Sequence, residues 1–253
     1  MRMFLAGSDS GNANIMLLKA GVENRLTSYF YIKGDKDTSF LKFKKLFIDS
    51  GAFTAFTKNA TINIDEYITF CQAIKHSGVT FSNLDVIGNP EATDKNWRYM
   101  KEKGVDALPV FHYGSDIKFL KQYLKEDKVP YIALGGLVPY AKNKKKLVAW
   151  LDYCFSTIKP YFPVKIHLFG ITSAWCLERY PIYSSDSTGW LSSGRHGRIV
   201  EYKSFALKEV AGKLGDYHRS NHYIQNYLLS IKEYLKLQDN MTKLWESRGV
   251  TWN

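Results

Sequence analysis

The sequence predicts an α/β fold, a (β/α)8 barrel, from three features of its 253 residues. Short apolar segments alternate with amphipathic segments along most of the chain, which predicts a parallel sheet covered by helices. Seven or eight such units occupy about 200 residues, and this density favours a closed barrel. No glycine-rich nucleotide-binding fingerprint follows an apolar segment. A doubly wound open sheet is the alternative.

The predicted strands are short apolar runs that end in a polar residue or a glycine. They cover residues 3–7, 45–51, 81–90, 107–114, 131–138 and 165–172, with 182–188 as a further candidate. Between them, apolar residues recur at spacings of three and four, as on one face of an α-helix. This periodicity predicts helices at 64–77, 93–103, 116–126, 143–158 and 174–179. Asn63 is available as the cap of the first of these helices.

The last part of the chain, from about residue 201 to residue 253, is predicted to be helical. Residues 201–245 suit two or three helices, of which 222–237 has the clearest apolar period. They would form the last barrel helix or an appendage to the barrel. Because no repeat or linker interrupts the sequence, we predict a single domain over residues 1–253.

Composition restricts the classes of protein to which the chain can belong. Hydrophobic residues make up 45% and charged residues 23%, as in a globular domain. No apolar run is long enough for a membrane span, and the run near Met1 is too short for a secretory signal, so we expect a cytoplasmic protein. Three distant cysteines, Cys71, Cys154 and Cys176, indicate reduced thiols in the core rather than disulfides or a zinc site.

The charge of the chain is strongly positive. Lysine and arginine number 35 against 24 acidic residues, which gives a net charge of +11 and a pI near 9.3. Such an excess is typical of surfaces that bind phosphates, although many basic proteins bind no nucleic acid. Nucleic acid is therefore a candidate partner.

Polar residues and glycines follow the predicted strands, at the end where a barrel builds its active site. These residues are Asp49, Asp85, His112, Tyr113, Gly135, Gly136, Gly170 and Asp186. Because parallel strands end on one side of a barrel, we expect the three carboxylates to face one pocket. The pKa values of clustered acids are pushed apart, so one acid stays ionised while another carries a proton. Taken singly, each residue also suits a turn, a helix cap or a structural hydrogen bond.

Seven short motifs occur in a fixed order along about residues 45–200. They are DSGAF (49–53), LD (84–85), FHYG (111–114), ALGGLV (133–138), HLFGIT (167–172), SSDST (184–188) and RHGR (195–198). This order resembles the tRNA-guanine transglycosylases, also called queuine tRNA-ribosyltransferases. Phage and bacterial relatives in that superfamily insert 7-deazaguanines into DNA. The resemblance implies a (β/α)8 barrel that exchanges a purine base on a polynucleotide.

The resemblance implies a role for each of the three aspartates. Asp186 matches the nucleophile, which attacks the sugar C1′, expels guanine and leaves a covalent glycosyl-enzyme. Asp49 matches the aspartate that handles the proton, and Asp85 matches the one that binds the guanine-like edge. The incoming 7-deazaguanine then attacks the same carbon. No cofactor is implied, since replacing one base by another conserves the glycosidic bond.

Further residues match positions that bind the base or the polynucleotide. Backbone groups of Gly135, Gly136 and Leu137 would face the base, with Gly170 beside them. His112 or Tyr113 stands where the family has a base-reading glutamine. Arg195 and Arg198 match a basic pair that grips the polynucleotide, although they follow the nucleophile at a greater distance than in the family. The aromatic residues that could stack on an extruded base are Tyr183, Trp190 and Phe53.

The chain departs from the tRNA enzymes in two respects. It lacks their CxCxxC zinc motif, and His218 and His222 have no cysteine after Cys176 to join them, so we expect no metal and no zinc subdomain. It is also shorter than the usual member, which removes elements that help to hold tRNA. These departures favour DNA as the substrate and a phage-like enzyme acting in the host cytoplasm.

The sequence therefore predicts an enzyme that replaces guanine in DNA with a 7-deazaguanine such as 7-cyano-7-deazaguanine. One alternative keeps the reaction and makes tRNA the substrate. Another is a barrel that binds nucleic acid without catalysis, such as the accessory subunit of a transglycosylase pair. The sequence leaves a homodimer open.

Overall fold

The computed structural model describes residues 1–126, 131–191, 198–203, 206–211 and 222–252, with the backbone alone at 222 and 223. Eight strands in these residues form one parallel sheet, in the order β4-β3-β2-β1-β8-β7-β6-β5. The strands are β1 Arg2–Leu5, β2 Asn24–Ser28, β3 Lys45–Asp49, β4 Val79–Phe81, β5 Val110–His112, β6 Tyr131–Gly135, β7 Lys165–Leu168 and β8 Ser184–Ser187. The fold is an α/β fold with a curled sheet, compatible with a TIM-like barrel.

Helices follow most of the strands, as an α/β barrel requires. They are α1 Gly11–Lys19, α2 Tyr29–Ile32, α3 Ala52–Thr57, α4 Ile64–Ala73, α5 Pro90–Glu102, α6 Ile117–Lys125, α7 Lys144–Ile158, α8 Ala174–Arg179 and α9 His222–Ser247. Three 3-10 turns lie at Ser39–Lys42, Val138–Tyr140 and Lys159–Tyr161. None of the described helices is both long and apolar enough to cross a membrane.

The two edge strands of the sheet, β4 and β5, contact each other just beyond their named ends. An isolated parallel bridge joins Ser82 to Leu108. Leu108 N donates to Phe81 O at 2.8 Å, and Asn83 N donates to Leu108 O at 3.0 Å. The side chain of Asn83 also accepts from Val110 N at 3.0 Å. These bonds curl the sheet until its edges approach.

Most of the predicted elements are present. Six of the seven apolar segments coincide with a strand, whereas β4 ends at Phe81, the first residue of the segment predicted at 81–90. Five predicted helices correspond to α4, α5, α6, α7 and α8. The helix predicted at 64–77 begins after Asn63 as expected, because the Asn63 side chain accepts from Asp65 N and Glu66 N, but it ends at Ala73. The three cysteines are free and buried, as predicted, and burial raises the pKa of each thiol to about 12.

The prediction of helices throughout residues 201–245 was wrong in its first part. Residues Arg198–Lys203 and Ala206–Ala211 form strands β9 and β10 of an antiparallel pair. Ile199 and Val200 are buried, and Val200 N donates to Ser230 Oγ of α9 at 3.1 Å. Packing against α9 therefore fixes an extended conformation, which overrides the helical propensity of the segment. The rest of the described segment is the single helix α9.

Side chains inside the curled sheet are separated from those beneath the helices. Phe4, Leu26, Phe47, Val110 and Ala133 form one cluster, to which five different strands contribute. Two larger clusters lie between the outer face of the sheet and the helices. Helix α9 covers β1 and contributes buried residues to one of these clusters, including Ile231, Leu237 and Met241.

Strand β2 has no counterpart in the sequence prediction, because its sequence NRLTS is mostly polar. All five of its residues are buried. Arg25 is fully buried and donates to Asn14 Oδ1 (3.0 Å), Leu5 O (2.7 Å), Gly7 O (3.0 Å), Ser8 O (3.2 Å) and Asp9 Oδ1 (3.1 Å). Burial lowers the pKa of Arg25 to about 10, which leaves it charged at neutral pH. This guanidinium ties β2 to the loop that follows β1.

Replacing Arg25 with glutamine should lower the free energy of unfolding by about 3–5 kcal/mol, because it leaves Asp9 as a buried charge without its cation. Urea denaturation measures this change. Arg179→Gln is the matched control, since Arg179 pairs with Asp152 at an exposed site, where an ion pair contributes about 1 kcal/mol or less. Equal losses in the two variants would contradict a structural role for the Arg25 bonds.

Candidate active site

The alternation of side chains along a strand brings the polar residues at the strand ends to the interior of the sheet. Side chains two positions apart lie on the same face. Phe47, Val110 and Ala133 belong to the interior cluster. Asp49, His112 and Gly135 follow these residues by two positions and therefore share the interior face. Asp186 lies on β8, in register with interior Phe4, and reaches the same end of the sheet. We call this end of the sheet, where the aspartates lie, the acidic rim.

Asp186 is a buried carboxylate at the end of β8. Its residue is 8% exposed, and its Oδ1 accepts from Gly170 N at 2.8 Å. The left-handed backbone at Gly170, with a φ of 68°, aims this N–H at the carboxylate. His167 Nε2 lies 3.3 Å from the same oxygen. Within the described ranges these contacts all fall on Oδ1, which leaves Oδ2 for a substrate.

A buried polar chain supports Asp186 from inside the sheet. The His167 ring is fully buried beside Phe47 and Phe169, whose ring centroids are both 4.6 Å away. His167 Nδ1 lies 2.6 Å from Ser184 Oγ, and the Tyr131 hydroxyl contacts the same oxygen. Burial raises the pKa of Tyr131, so this phenol keeps its proton.

The protons of this chain can be assigned from its hydrogen bonds. If Tyr131 donates to Ser184, the serine hydroxyl is free to donate to His167 Nδ1, and Nε2 then carries the ring proton. That proton faces Asp186. In the described residues, His167 Nε2 has no hydrogen bond of good geometry, although it is buried. His167 Nε2 lies 3.3 Å from Asp186 Oδ1. A small shift of the Asp186 side chain would therefore give this buried donor a hydrogen bond.

Asp49 lies at the same rim with an altered acidity. Its Oδ2 accepts from Gly51 N at 3.0 Å. Burial, with the charges of Asp85 and Asp186 next in effect, raises the pKa of Asp49 from 3.8 to about 7. The hydrogen bond from Gly51 opposes this rise. Asp49 can therefore both give and take a proton near neutral pH.

Asp85 is held by two donors from neighbouring strand ends. Its Oδ2 lies 2.8 Å from His112 Nε2, and its Oδ1 accepts from the Ser50 hydroxyl at 3.1 Å. A hydrogen bond across this distance needs one shared proton, which His112 Nε2 supplies when Asp85 is ionised. Gly135 makes room for this ring, since a Cβ there would lie 2.8 Å from His112 Cδ2. Each carboxylate oxygen keeps a lone pair for a further donor.

The remaining predicted residues are placed differently. The Tyr113 ring stacks on Tyr140 at 3.8 Å between centroids and packs against the outer core, and the Leu137 side chain is fully buried there. Gly136 has a φ of 68° in the turn after β6. Arg198 is exposed in the β9–β10 pair, 3.4 Å from Glu209. Arg195 lies outside the residues that the structure describes.

Of the three aromatic residues considered for stacking on a base, only Phe53 is available. Trp190 is fully buried and its Nε1 donates to Ala6 O at 2.9 Å, while Tyr183 is also buried. Phe53 is 58% exposed on α3, four residues after Asp49. Trp190 and Tyr183 therefore belong to the core.

Sequence reasoning missed a fourth carboxylate, Asp9, in the loop after β1. Asp9 is one of the charges that raise the pKa of Asp49, so it lies near the rim. It is paired with Arg25 at 3.1 Å and accepts from the Thr27 hydroxyl. Its position after the apolar run MFLAG was the signal that could have identified it.

Neither a metal cluster among the described residues nor a match to a family model or curated protein assigns this site. In the described ranges, no group of three or more His, Cys, Asp or Glu side chains is arranged to hold a metal ion. No family model matches the chain, and no curated protein matches it significantly. The chemistry of the site must therefore be inferred from its geometry and from the order of its motifs.

Replacing Asp49 with asparagine should stabilise the fold more at about pH 8 than at about pH 5, where the carboxyl of the folded state is still protonated. The pKa of Asp49 is raised from 3.8 in the unfolded state to about 7 in the folded state. At pH values between these two pKa values the folded state therefore binds more protons than the unfolded state. Stability from this group is therefore lost as the pH rises to about 7. The ionised carboxylate destabilises the fold by an amount on the order of a few kcal/mol, which a neutral amide avoids.

Urea denaturation at the two pH values measures this effect. Asp106→Asn is the matched control, because the Asp106 side chain is 87% exposed and should titrate similarly in both states. A stabilisation by Asp49→Asn that is the same at both pH values would contradict the raised pKa.

Proposed function

We propose that this protein exchanges a purine base on a polynucleotide, replacing guanine in DNA with a 7-deazaguanine. The proposal rests on one observation above all. Asp49, with a pKa raised to about 7, shares a rim with Asp186 and Asp85, whose charges contribute to that rise. A nucleophilic carboxylate beside a second acid that exchanges protons at neutral pH suits displacement at a glycosidic carbon. The motif order that resembles the transglycosylases supports the same reaction.

The proposed scaffold is a closed (β/α)8 barrel without a zinc subdomain. The bridge between Ser82 and Leu108 and the hydrogen bonds beside it support closure at β4 and β5. In such a barrel the loops after the strands converge on one opening, which favours a site made from distant parts of the chain. The acidic rim has this composition, since β3, β8 and the segment after β4 each contribute one aspartate.

Asp186 is the proposed nucleophile. Its Oδ2 attacks C1′ of the nucleotide, a C1′–O bond forms, and the C1′–N9 bond breaks with its electron pair passing to the guanine. The hydrogen bond from Gly170 N and the contact with His167 hold Oδ1 and fix the direction of Oδ2. In the second step the incoming base attacks C1′ and Asp186 leaves as a carboxylate.

Asp49 is the proposed proton carrier for both steps. The departing guanine accepts one proton, and the incoming base gives up one from N9. A carboxyl group with a pKa of about 7 is protonated often enough to supply the first proton and basic enough to receive the second. The cycle returns Asp49 to its starting state, so the reaction needs no cofactor.

Asp85 is the proposed reader of the base. The N1–H and exocyclic N–H groups of guanine are donors on one edge, and a carboxylate offers acceptors to both. Ser50 and His112 hold the Asp85 side chain in a fixed orientation. A 7-deazaguanine carries the same edge, so one pocket serves the leaving and the incoming base. We propose DNA because the sequence lacks the zinc motif of the tRNA enzymes.

Replacing Asp186 with asparagine should abolish base exchange, by about 10⁴-fold or more, because the amide cannot form the glycosyl-enzyme. The protein is incubated with DNA, or separately with tRNA, and with labelled guanine or 7-cyano-7-deazaguanine. Nucleoside mass spectrometry measures incorporation, and the intact mass of the denatured protein reports the covalent adduct. Asp239→Asn, an exposed change on α9, is the control.

The outcomes separate the proposal from its alternatives. Exchange on tRNA alone would replace the DNA substrate by tRNA. Salt-sensitive binding of polynucleotide without exchange or adduct would favour the binding-only barrel. Full activity of Asp186→Asn would refute the nucleophile.

His167 is proposed as a positioning residue for Asp186, and two substitutions test this role. Glutamine can place its amide near the position of Nε2, whereas asparagine can replace only Nδ1. His167→Asn should therefore lower kcat by roughly 10–100-fold, as the loss of a group that orients a reacting residue does, with little change in KM. His167→Gln should retain more of the activity. Equal losses in both variants, with lower thermal stability, would indicate that His167 serves only the core.

A further inference from the structure

Two short helices beside Asp49 carry an exposed group of aromatic and basic side chains. Helix α2 follows β2, and α3 follows β3 directly after Asp49. Tyr31 is 51% exposed and Phe56 is 64% exposed, while Phe30 is half-buried. Lys33 and Lys58 are exposed beside them. We call Phe30, Tyr31, Lys33, Phe56 and Lys58 the aromatic–lysine surface.

This surface is attached rigidly to the acidic rim. Gly51, two residues after Asp49, has a φ of 82°, which favours glycine. A Cβ at Gly51 would lie 2.4 Å from Phe30 Cβ and 2.6 Å from Ser28 Oγ. The turn after Asp49 therefore packs directly against α2. A ligand held on α2 and α3 has a fixed position relative to the proposed proton carrier.

The lysines and rings of the surface are interleaved. Lys58 Nζ lies 5.4 Å from the centroid of Phe30 and 5.0 Å from that of Tyr31, and Lys33 Nζ lies 5.5 Å from that of Phe30. The Phe30 and Tyr31 rings meet edge to face with centroids 5.4 Å apart. Exposed aromatic faces alternating with ammonium groups are the chemistry that binds an unpaired nucleic-acid strand, bases on rings and phosphates on cations.

We infer that the aromatic–lysine surface binds the unpaired DNA strand next to the nucleotide that enters the acidic site. This inference rests on the polynucleotide substrate of the proposed function and adds where the strand runs. A base can reach Asp186 only if it leaves the stack, and its neighbours then lose stacking partners. Tyr31 and Phe56 replace those partners, while Lys58 neutralises a phosphate. The net charge of +11 complements such a strand.

The neighbouring surface limits the path of the strand. A cavity of about 740 Å³ adjoins α2, and its lining includes Lys33 together with Asp65 and Glu66. These carboxylates repel phosphates. The strand therefore runs over the rings and Lys58 on the side of α3 rather than into this cavity.

Binding of a labelled oligothymidylate of about twelve nucleotides, followed by fluorescence anisotropy, tests the inference. The oligonucleotide contains no guanine, so its binding is independent of base exchange. Tyr31→Ala and Phe56→Ala should each weaken binding about tenfold, the usual effect of losing one base–aromatic stack. Lys58→Gln should reduce the slope of log affinity against log salt by about 0.7, since one phosphate contact on a single strand is lost.

Two control variants match these changes in chemistry but lie elsewhere. Tyr153→Ala removes a ring that is 50% exposed on α7. Lys103 follows the C-terminal end of α5, and Lys103→Gln removes an ammonium group that lies 5.3 Å from the centroid of the Tyr99 ring. Both should bind the oligothymidylate as the unmodified protein does. Circular dichroism confirms that each variant is folded.

Three results would overturn the inference. The first is unchanged affinity in Tyr31→Ala and Phe56→Ala, and the second is tighter binding of an oligouridylate of the same length. The third is a change of oligomeric state in these variants, seen by light scattering, which would make the surface a contact between copies of the chain. If the protein exchanges bases but Tyr31→Ala and Phe56→Ala bind the oligothymidylate normally, the inference about this surface is refuted and the proposed reaction stands. Oligothymidylate binding that requires the surface, without base exchange, would refute only the proposed reaction.

Discussion

The site depends on the cost of bringing several carboxylates to one rim, because like charges that are also removed from water cannot all remain ionised. The fold offsets this cost for three of the four acids. Arg25 and Thr27 hold Asp9, Ser50 and His112 hold Asp85, and Gly170 with His167 holds Asp186. In the described part of the chain, Asp49 receives one hydrogen bond, from Gly51 N. The proton therefore resides on Asp49, where its pKa is about 7.

The supports of these acids are built into the packing of the sheet. Arg25 bonds the β1 loop from beneath and thereby fixes Asp9. His167 is enclosed by aromatic rings inside the curled sheet, so its ring cannot turn away from Asp186. Both groups are polar side chains in positions that apolar residues would fill at lower cost. A site whose charges must be held in place before a substrate arrives needs such groups in spite of that cost.

Several features could be predicted because they follow from local sequence. Asp49 ends an apolar run and Asp186 lies in a candidate strand, and the parallel sheet then brings them together. The choice between His112 and Tyr113 could also have been made, since Val110 lies inside and alternation places His112 on its face. Strand β2 could not be predicted, because the partners that satisfy Asn24 and Arg25 are distant in sequence. The β9–β10 pair likewise depends on contacts with α9.

The direction of the proposed exchange depends on the concentrations of the two free bases, and its rate depends on their chemistry. Both glycosidic bonds are similar, so breaking one and forming the other leaves little net free energy to drive the reaction. Guanine has a nitrogen at position 7 that can accept a proton as the base departs, whereas a 7-deazaguanine has a carbon there. An acid such as Asp49, with a pKa of about 7, can therefore assist the departure of guanine more than that of the inserted base. Because each step passes through the same transition state in reverse, Asp49 speeds both directions of the exchange, and the ratio of the two free bases decides which base accumulates in the polynucleotide.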